Sequence, residues 1–211
     1  MGKRAKLAGL ATGGALAASA LWWRSHPSAC PYNQRFWVQA PHPFITRARL
    51  RETLDPKQGE TVLEVGPGTG YYALDAAEWI APGTLHVFDL QQEMLDHTMR
   101  RARERGITNI QARQGDAREL PYPDATFDAA YLVTVLGEIP DQERALQELR
   151  RVLKPDGRLV VGELFGDPHM VGIKALQARA ERAGLKLERR AGPRVGYFAR
   201  LTPVTPPGEP G

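Results

Sequence analysis

Between about positions 44 and 201 the apolar residues fall into short runs that alternate with stretches of helical spacing. Runs such as Thr61-Val62-Leu63-Glu64-Val65 and Phe127-Asp128-Ala129-Ala130-Tyr131-Leu132 are short, rich in β-branched or aromatic residues and bounded by turn-forming positions, so they predict strands. The predicted strands lie at about 61–65, 84–89, 109–114, 127–133, 158–164, 185–191 and 195–201. A helix is predicted near 44–54, with further helices between most of the strands. Alternating strand and helix predict an α/β fold with a doubly wound, seven-stranded, mostly parallel sheet. The last two strands stand too close for a crossover helix; Gly192-Pro193-Arg194 between them predicts a hairpin and an antiparallel last strand. Lys154-Pro155-Asp156-Gly157 ends a helix and turns into the next strand, a structural task without chemistry.

Chemistry enters where the first strand ends. Glu64-Val65-Gly66-Pro67-Gly68-Thr69-Gly70 sets an acid and three glycines between that strand and a helix starting at Tyr71-Tyr72-Ala73-Leu74. Glycine tolerates positive φ and lets the backbone approach a ligand, and in a doubly wound sheet this turn borders the ligand crevice. A dinucleotide-binding turn would need a glycine at position 71, where Tyr71 stands. With Glu64 two residues before the first glycine, the turn suits a ligand carrying an ammonium group better than a pyrophosphate.

Glu64 to Gly70 resembles the first motif of the class I S-adenosylmethionine-dependent methyltransferases, and four further blocks continue the resemblance in order. Leu85-His86-Val87-Phe88-Asp89 is similar to the second strand, whose terminal acid holds the ribose hydroxyls in that family. Gln114-Gly115-Asp116-Ala117 is similar to the loop that holds adenine through the Asp side chain and the next amide. Phe127 to Leu132 and Leu153 to Val161 resemble the fourth strand and the helix-turn-strand after it. The resemblance implies S-adenosyl-L-methionine as cofactor, with Glu64, Gly66, Pro67, Gly68, Gly70, Asp89, Leu90, Met94, Asp116, Ala117 and Val133 forming its site. Within the family the chain looks most like the quinone and sterol methyltransferases, which implies a small, lipophilic acceptor such as a quinone, sterol or lipid.

Simpler roles stand beside these. Asp89 would also serve as a helix cap and Asp116 as a turn residue. A nicotinamide-dependent (NAD(P)) oxidoreductase is the rival enzyme, favoured by Asp89 and opposed by Tyr71; a cofactor-binding module without turnover is the non-enzyme rival. For methyl transfer the resemblance places the acceptor near the loops after the fourth and fifth strands, which hold Thr134, Gly137 and Glu138, and Glu163, Asp167 and His169. Glu138 stands where similar enzymes place a histidine and is a candidate base, or else a cap for a helix starting near Asp141. His169 is a second candidate base, or a plain exposed loop residue. Tyr71 and Tyr72 either line the cofactor pocket or pack in the core, and Tyr32, Phe36 and Trp37 either lid an apolar acceptor or do the same. No Cys/His cluster has metal-ligand spacing.

The chain has 28 basic and 24 acidic residues, and Lys3, Arg4, Lys6 and Arg24, in an acid-free stretch, account for the whole excess. The rest of the chain is therefore neutral, and no nucleic-acid partner is expected. Arg100, Arg101, Arg103 and Arg105 fit the solvated face of a helix. Residues 7–23 carry no charge and end at Trp22-Trp23-Arg24. As a helix they would reach about 26 Å, slightly short of a bilayer core. An uncleaved membrane anchor is the preferred reading, with the catalytic domain on the cytoplasmic, cofactor-containing side. A signal peptide cleaved near Ala18-Ser19-Ala20, an organellar transit peptide and a loosely packed tail are the alternatives. The chain thus divides into a membrane-directed segment (1–24), a proline-rich connector (25–43), the catalytic domain (44–202) and a disordered proline-rich tail (203–211).

Overall fold

A computed structural model describes residues 28–32 and 43–204. The elements in chain order are α1 (Arg47–Leu54), β1 (Thr61–Val65), α2 (Ala73–Ile80), β2 (Thr84–Asp89), α3 (Gln92–Glu104), β3 (Ile110–Gln114), β4 (Phe127–Val133), α4 (Gln142–Val152), β5 (Leu153–Leu164), α5 (Ile173–Arg182), β6 (Leu185–Ala191) and β7 (Gly196–Pro203). They build one seven-stranded sheet in the order β3-β2-β1-β4-β5-β7-β6. All neighbours from β3 through β5 pair in parallel, and β7 runs antiparallel to both β5 and β6. The strand order therefore reverses between β1 and β4, and it is outside the carboxyl ends of these strands that such sheets hold ligands.

Side chains alternate between the two faces of the sheet. On β4, Ala130 and Leu132 pack with Leu146, Leu149 and Leu176 of α4 and α5, whereas Ala129, Tyr131 and Val133 pack with Leu50, Leu74, Ile80 and Leu95 of α1 to α3. Both faces of the central strands are thus covered, which is why β1 and β4 read as nearly unbroken apolar runs. Away from the ligand end, Arg158 is buried and paired through both terminal nitrogens with Glu60, at 2.8 and 2.6 Å, and it also donates to the Asp55 carbonyl.

Three boundaries differ from the expected ones for local reasons. The first helix starts at Arg47 because the Thr46 side chain accepts the Arg49 amide at 3.2 Å, and Ile45 is buried ahead of that cap. Strand β5 starts at Leu153, which already pairs with Phe127; a register shift then absorbs the Lys154 to Gly157 turn. The sheet also reaches two residues beyond Leu201, with Thr202 and Pro203 opposite Lys186 and Leu185, so position 203 belongs to β7 and not to a tail. Among the described residues no helix is long and apolar enough to cross a membrane. The segment 7–23, Phe36, Trp37 and residues 205–211 lie outside the described residues.

Candidate functional site

Backbone hydrogen bonds carry the sheet past its strand ends and so set the loops side by side. Gly66 donates to the Phe88 carbonyl at 2.8 Å, Gly115 to Asp89 at 3.0 Å and Thr134 to Gly162 at 2.8 Å. Over these ends lie two cavities, of about 360 and 410 Å³. Gly66, Val133, Thr134, Glu138 and the segment Ser28–Cys30 line both.

The first cavity gathers most of the expected cofactor residues: Gly66, Gly68, Asp89, Leu90, Met94, Asp116, Ala117 and Val133 are in its wall. Pro67 borders the second. Asp89 is 9% exposed and accepts the Gln91 amide at 2.9 Å, with the Gly68 and Leu90 amides also turned to its carboxylate; burial pushes its pKa up against these bonds. One acid thereby joins the glycine turn to the end of β2. Asp116 sits at the rim, where the Arg118 side chain grips it at 2.6 Å and the Arg118 amide at 2.9 Å. Those bonds hold its carboxyl below the usual range. Asp116 is thus a turn former as well as a wall residue.

Two glycines in the cavity wall have no room for a side chain. A Cβ on Gly66, whose φ is +69°, would come within 2.4 Å of Val135, and one on Gly115 within 2.5 Å of the Phe88 ring. From behind, α3 braces the glycine turn: Thr98 donates to the Gly68 carbonyl at 3.1 Å and Arg101 to the Thr69 carbonyl at 2.6 Å. The four arginines expected on a solvated face are therefore divided in their tasks, since Arg105 also bonds Asp75 and Glu78 at 3.0 and 2.9 Å. Gly70 packs against Thr98 and lines neither cavity.

Glu64 is likewise set behind the wall. It is buried, its carboxyl accepts the Tyr131 hydroxyl at 2.8 Å, and burial pushes its pKa up to about 8. It lines neither cavity, so the ammonium-facing acid expected from the sequence is not on the cavity surface.

The second cavity holds the expected acceptor residues. Glu138, Asp167 and His169 line it with Tyr71, Tyr72, Leu164 and Phe165. Asp141 caps α4 by accepting the Arg144 amide at 3.0 Å, which leaves Glu138 free of that task. Glu138 instead accepts the Cys30 amide at 3.2 Å, and burial, with Asp167 and Asp89 nearby, pushes its pKa up to about 8. His169 is 9% exposed, against the expectation of a plain surface residue. Its own amide bonds Asp167 at 2.7 Å. The loop can lie so close because residue 137 is glycine: a Cβ there would fall 1.8 Å from the His169 carbonyl. Glu163 is buried beside the cavity, accepts the Val171 amide at 3.0 Å and has its pKa pushed to about 8 by burial. Thr134, at the junction of the cavities, has φ +56°, a conformation that a β-branched residue adopts only under strain, and such strain gathers at functional sites.

The segment Ser28–Cys30 was not anticipated. It crosses both cavities, held by the bond from the Gln91 side chain to the Cys30 carbonyl at 3.0 Å and by the Cys30 amide on Glu138. Nothing periodic in that proline-rich stretch marks it.

Residues 62–157 match the methyltransferase domain family. A demethylmenaquinone methyltransferase of Lactobacillus johnsonii is 35% identical over 56% of the chain and 49% of its own length. A ubiquinone/menaquinone biosynthesis C-methyltransferase of Cellvibrio japonicus is 38% identical over 54% and 46%. The chain spans about half the length of these curated relatives. A SAM-dependent methyltransferase from Aquifex aeolicus superposes with a TM-score of 0.74 at 20% identity, over 82% of this chain and 98% of that one. The [4+2]-cyclase SpnF superposes with a TM-score of 0.67 at 23% identity, over 75% of this chain and 80% of that one. These likenesses establish the fold; the choice of reaction rests on the site.

Proposed function

We propose, for a chain that carries a class I S-adenosylmethionine-dependent methyltransferase domain, that it holds S-adenosylmethionine in the 360 Å³ cavity and methylates a small quinol-type acceptor in the 410 Å³ cavity. The observation that carries the reading is the shared wall: the same Gly66, Thr134 and Glu138 face both spaces, so two ligands would meet there. The donor set fits the cofactor. Gly66, Gly68 and Gly115 bring bare backbone to the cavity wall, Asp89 offers the ribose hydroxyls an acceptor, and Leu90, Met94 and Ala117 give apolar surface to adenine. When bound, the cofactor supplies a sulfonium-activated methyl group. The names of the relatives support the quinol class, and nothing in them supports the nicotinamide alternative.

The protein's own work is to align the acceptor, exclude water and take a proton. Glu138, between the cavities and poised near pH 8, takes the proton of a quinol hydroxyl, so that electron density flows into the ring toward the atom to be methylated. The Ser28–Cys30 segment lines both spaces and narrows their common opening to solvent in this reading. His169, in the wall of the second cavity, is the second group able to accept that proton. A lipophilic acceptor agrees with residues 7–23 acting as a membrane anchor, the domain lying on the cytoplasmic side.

Methyl-labelled cofactor, the full-length protein and reduced demethylated quinones in lipid test this reading. Label should enter the quinone, and Glu138→Gln should lower kcat by about 10²-fold or more and remove a rise in rate through about pH 8. Label found only in polar acceptors, or an unchanged rate and pH profile in the variant, contradicts it.

A further inference from the structure

A third cavity, of about 440 Å³, opens on the other side of Tyr71 and is lined by Arg47, Tyr71, His97, Arg100, Arg101 and Glu104. Tyr71 is also a wall of the second cavity, so the two spaces are neighbours. The charge of this place is unlike the rest of the site. Three guanidiniums converge on it from two helices, α1 and α3, against one lining acid, Glu104, while Asp75 pairs with Arg47 from the side at 3.0 Å. A guanidinium has five N–H donors. Arg101 commits one nitrogen to the Thr69 carbonyl, Arg47 turns its Nε to the Tyr71 carbonyl, and Arg100 turns one nitrogen to His97 at 2.9 Å. Donors therefore remain for a ligand with several acceptor oxygens, and Arg clusters suit phosphate oxygens above all.

The N-terminal segment leads to the same place. The Tyr32 hydroxyl lies 3.2 Å from His97 Nδ1, and only seven residues of sequence separate Tyr32 from Arg24 at the end of the uncharged stretch. That stretch begins after Lys3, Arg4 and Lys6. An apolar segment flanked by cations, tethered within a few residues of a basic cavity, is an arrangement that an anionic bilayer surface complements.

We propose that the Arg47–Arg100–Arg101 cavity receives the phosphate of an anionic lipid, and that this face of the domain docks on the membrane, with the acceptor cavity opening beside it. This inference rests on the lipophilic-acceptor reading above. It assigns a face and a headgroup, where that reading assigned only an anchor.

Sedimentation of the full-length protein with neutral phosphatidylcholine vesicles and with vesicles containing phosphatidylserine tests it. Arg100→Glu changes the charge by two at an exposed position that braces no part of the glycine turn. Lys174→Glu makes the same change at an exposed position on α5, a helix packed against β6 at the far edge of the sheet. The gain in binding on going from neutral to anionic vesicles should fall roughly thirtyfold in Arg100→Glu at low salt, at about the strength expected per basic residue near such a surface, and stay near wild type in Lys174→Glu. Equal losses in both variants, or none in either, overturn the docking face. Arg100-dependent binding of inorganic phosphate with no gain on anionic vesicles overturns it too, by showing a soluble-anion site. Binding to neutral vesicles reports the anchor separately: its absence, with an Arg100-dependent anionic gain intact, defeats the anchor and leaves this face standing.

Discussion

Three carboxyl groups, those of buried Glu64 and Glu163 and of half-buried Glu138, are each pushed to about 8 by loss of solvent. Their identities were legible in the sequence; their states were not, because burial is a property of what packs around a residue and not of its neighbours in the chain. Glu64 shows the difference best. Its position before the glycines drew it into the cofactor site, but side chains alternate along β1, and position 64 faces the layer that holds Tyr131. Asp89 lies at the very end of its strand and borders the cavity. A carboxyl pKa raised from 4.5 to about 8 means that the folded state holds a proton the unfolded chain releases. The contribution is full below about pH 4.5 and is lost as pH rises through about 8, so thermal stability should fall between about pH 5 and 8. Glu64→Gln should flatten that decline by removing one titrating group. A melting temperature that rises over this interval, or an equal decline in the variant, contradicts the assignment of a buried, protonated Glu64.

At the scale of elements the sequence was legible wherever periodicity or a cap carried the signal. Strands β1, β2, β4 and β6 begin and end at the expected positions, and the Gly192-Pro193-Arg194 turn sets β7 antiparallel. What escaped was decided by contacts between elements: the start of α1 by Ile45 packing ahead of the Thr46 cap, and the reach of β7 by its pairing with β6. The close seating of the 167–170 loop on the turn at Leu136–Glu138 belongs here too, since it depends on a glycine whose necessity appears only when the two loops meet. Gly137→Ala should force these loops apart. Urea unfolding should show a loss of about 1–3 kcal/mol, the usual cost of overpacking, and the acceptor KM should rise while cofactor affinity stays within about threefold. Unchanged stability and KM would mean that the loop is not seated as described.

At the scale of the whole molecule, the strand reversal between β1 and β4 opens a crevice, and the 28–30 segment forms part of its wall. The crevice was legible because three motif blocks fall at the ends of β1, β2 and β3; the 28–30 segment was not, because an irregular proline-rich stretch has no period to announce where it packs. The account stands on the cavity beside Asp89 being a site for S-adenosylmethionine. Isothermal titration of the full-length protein with this cofactor tests that most directly. The account predicts saturable binding at one site, weakened about tenfold or more in Asp89→Ala through loss of charged hydrogen bonds, and no comparable binding of nicotinamide dinucleotides. Absence of binding, or equal affinity in the wild-type protein and Asp89→Ala, would contradict it.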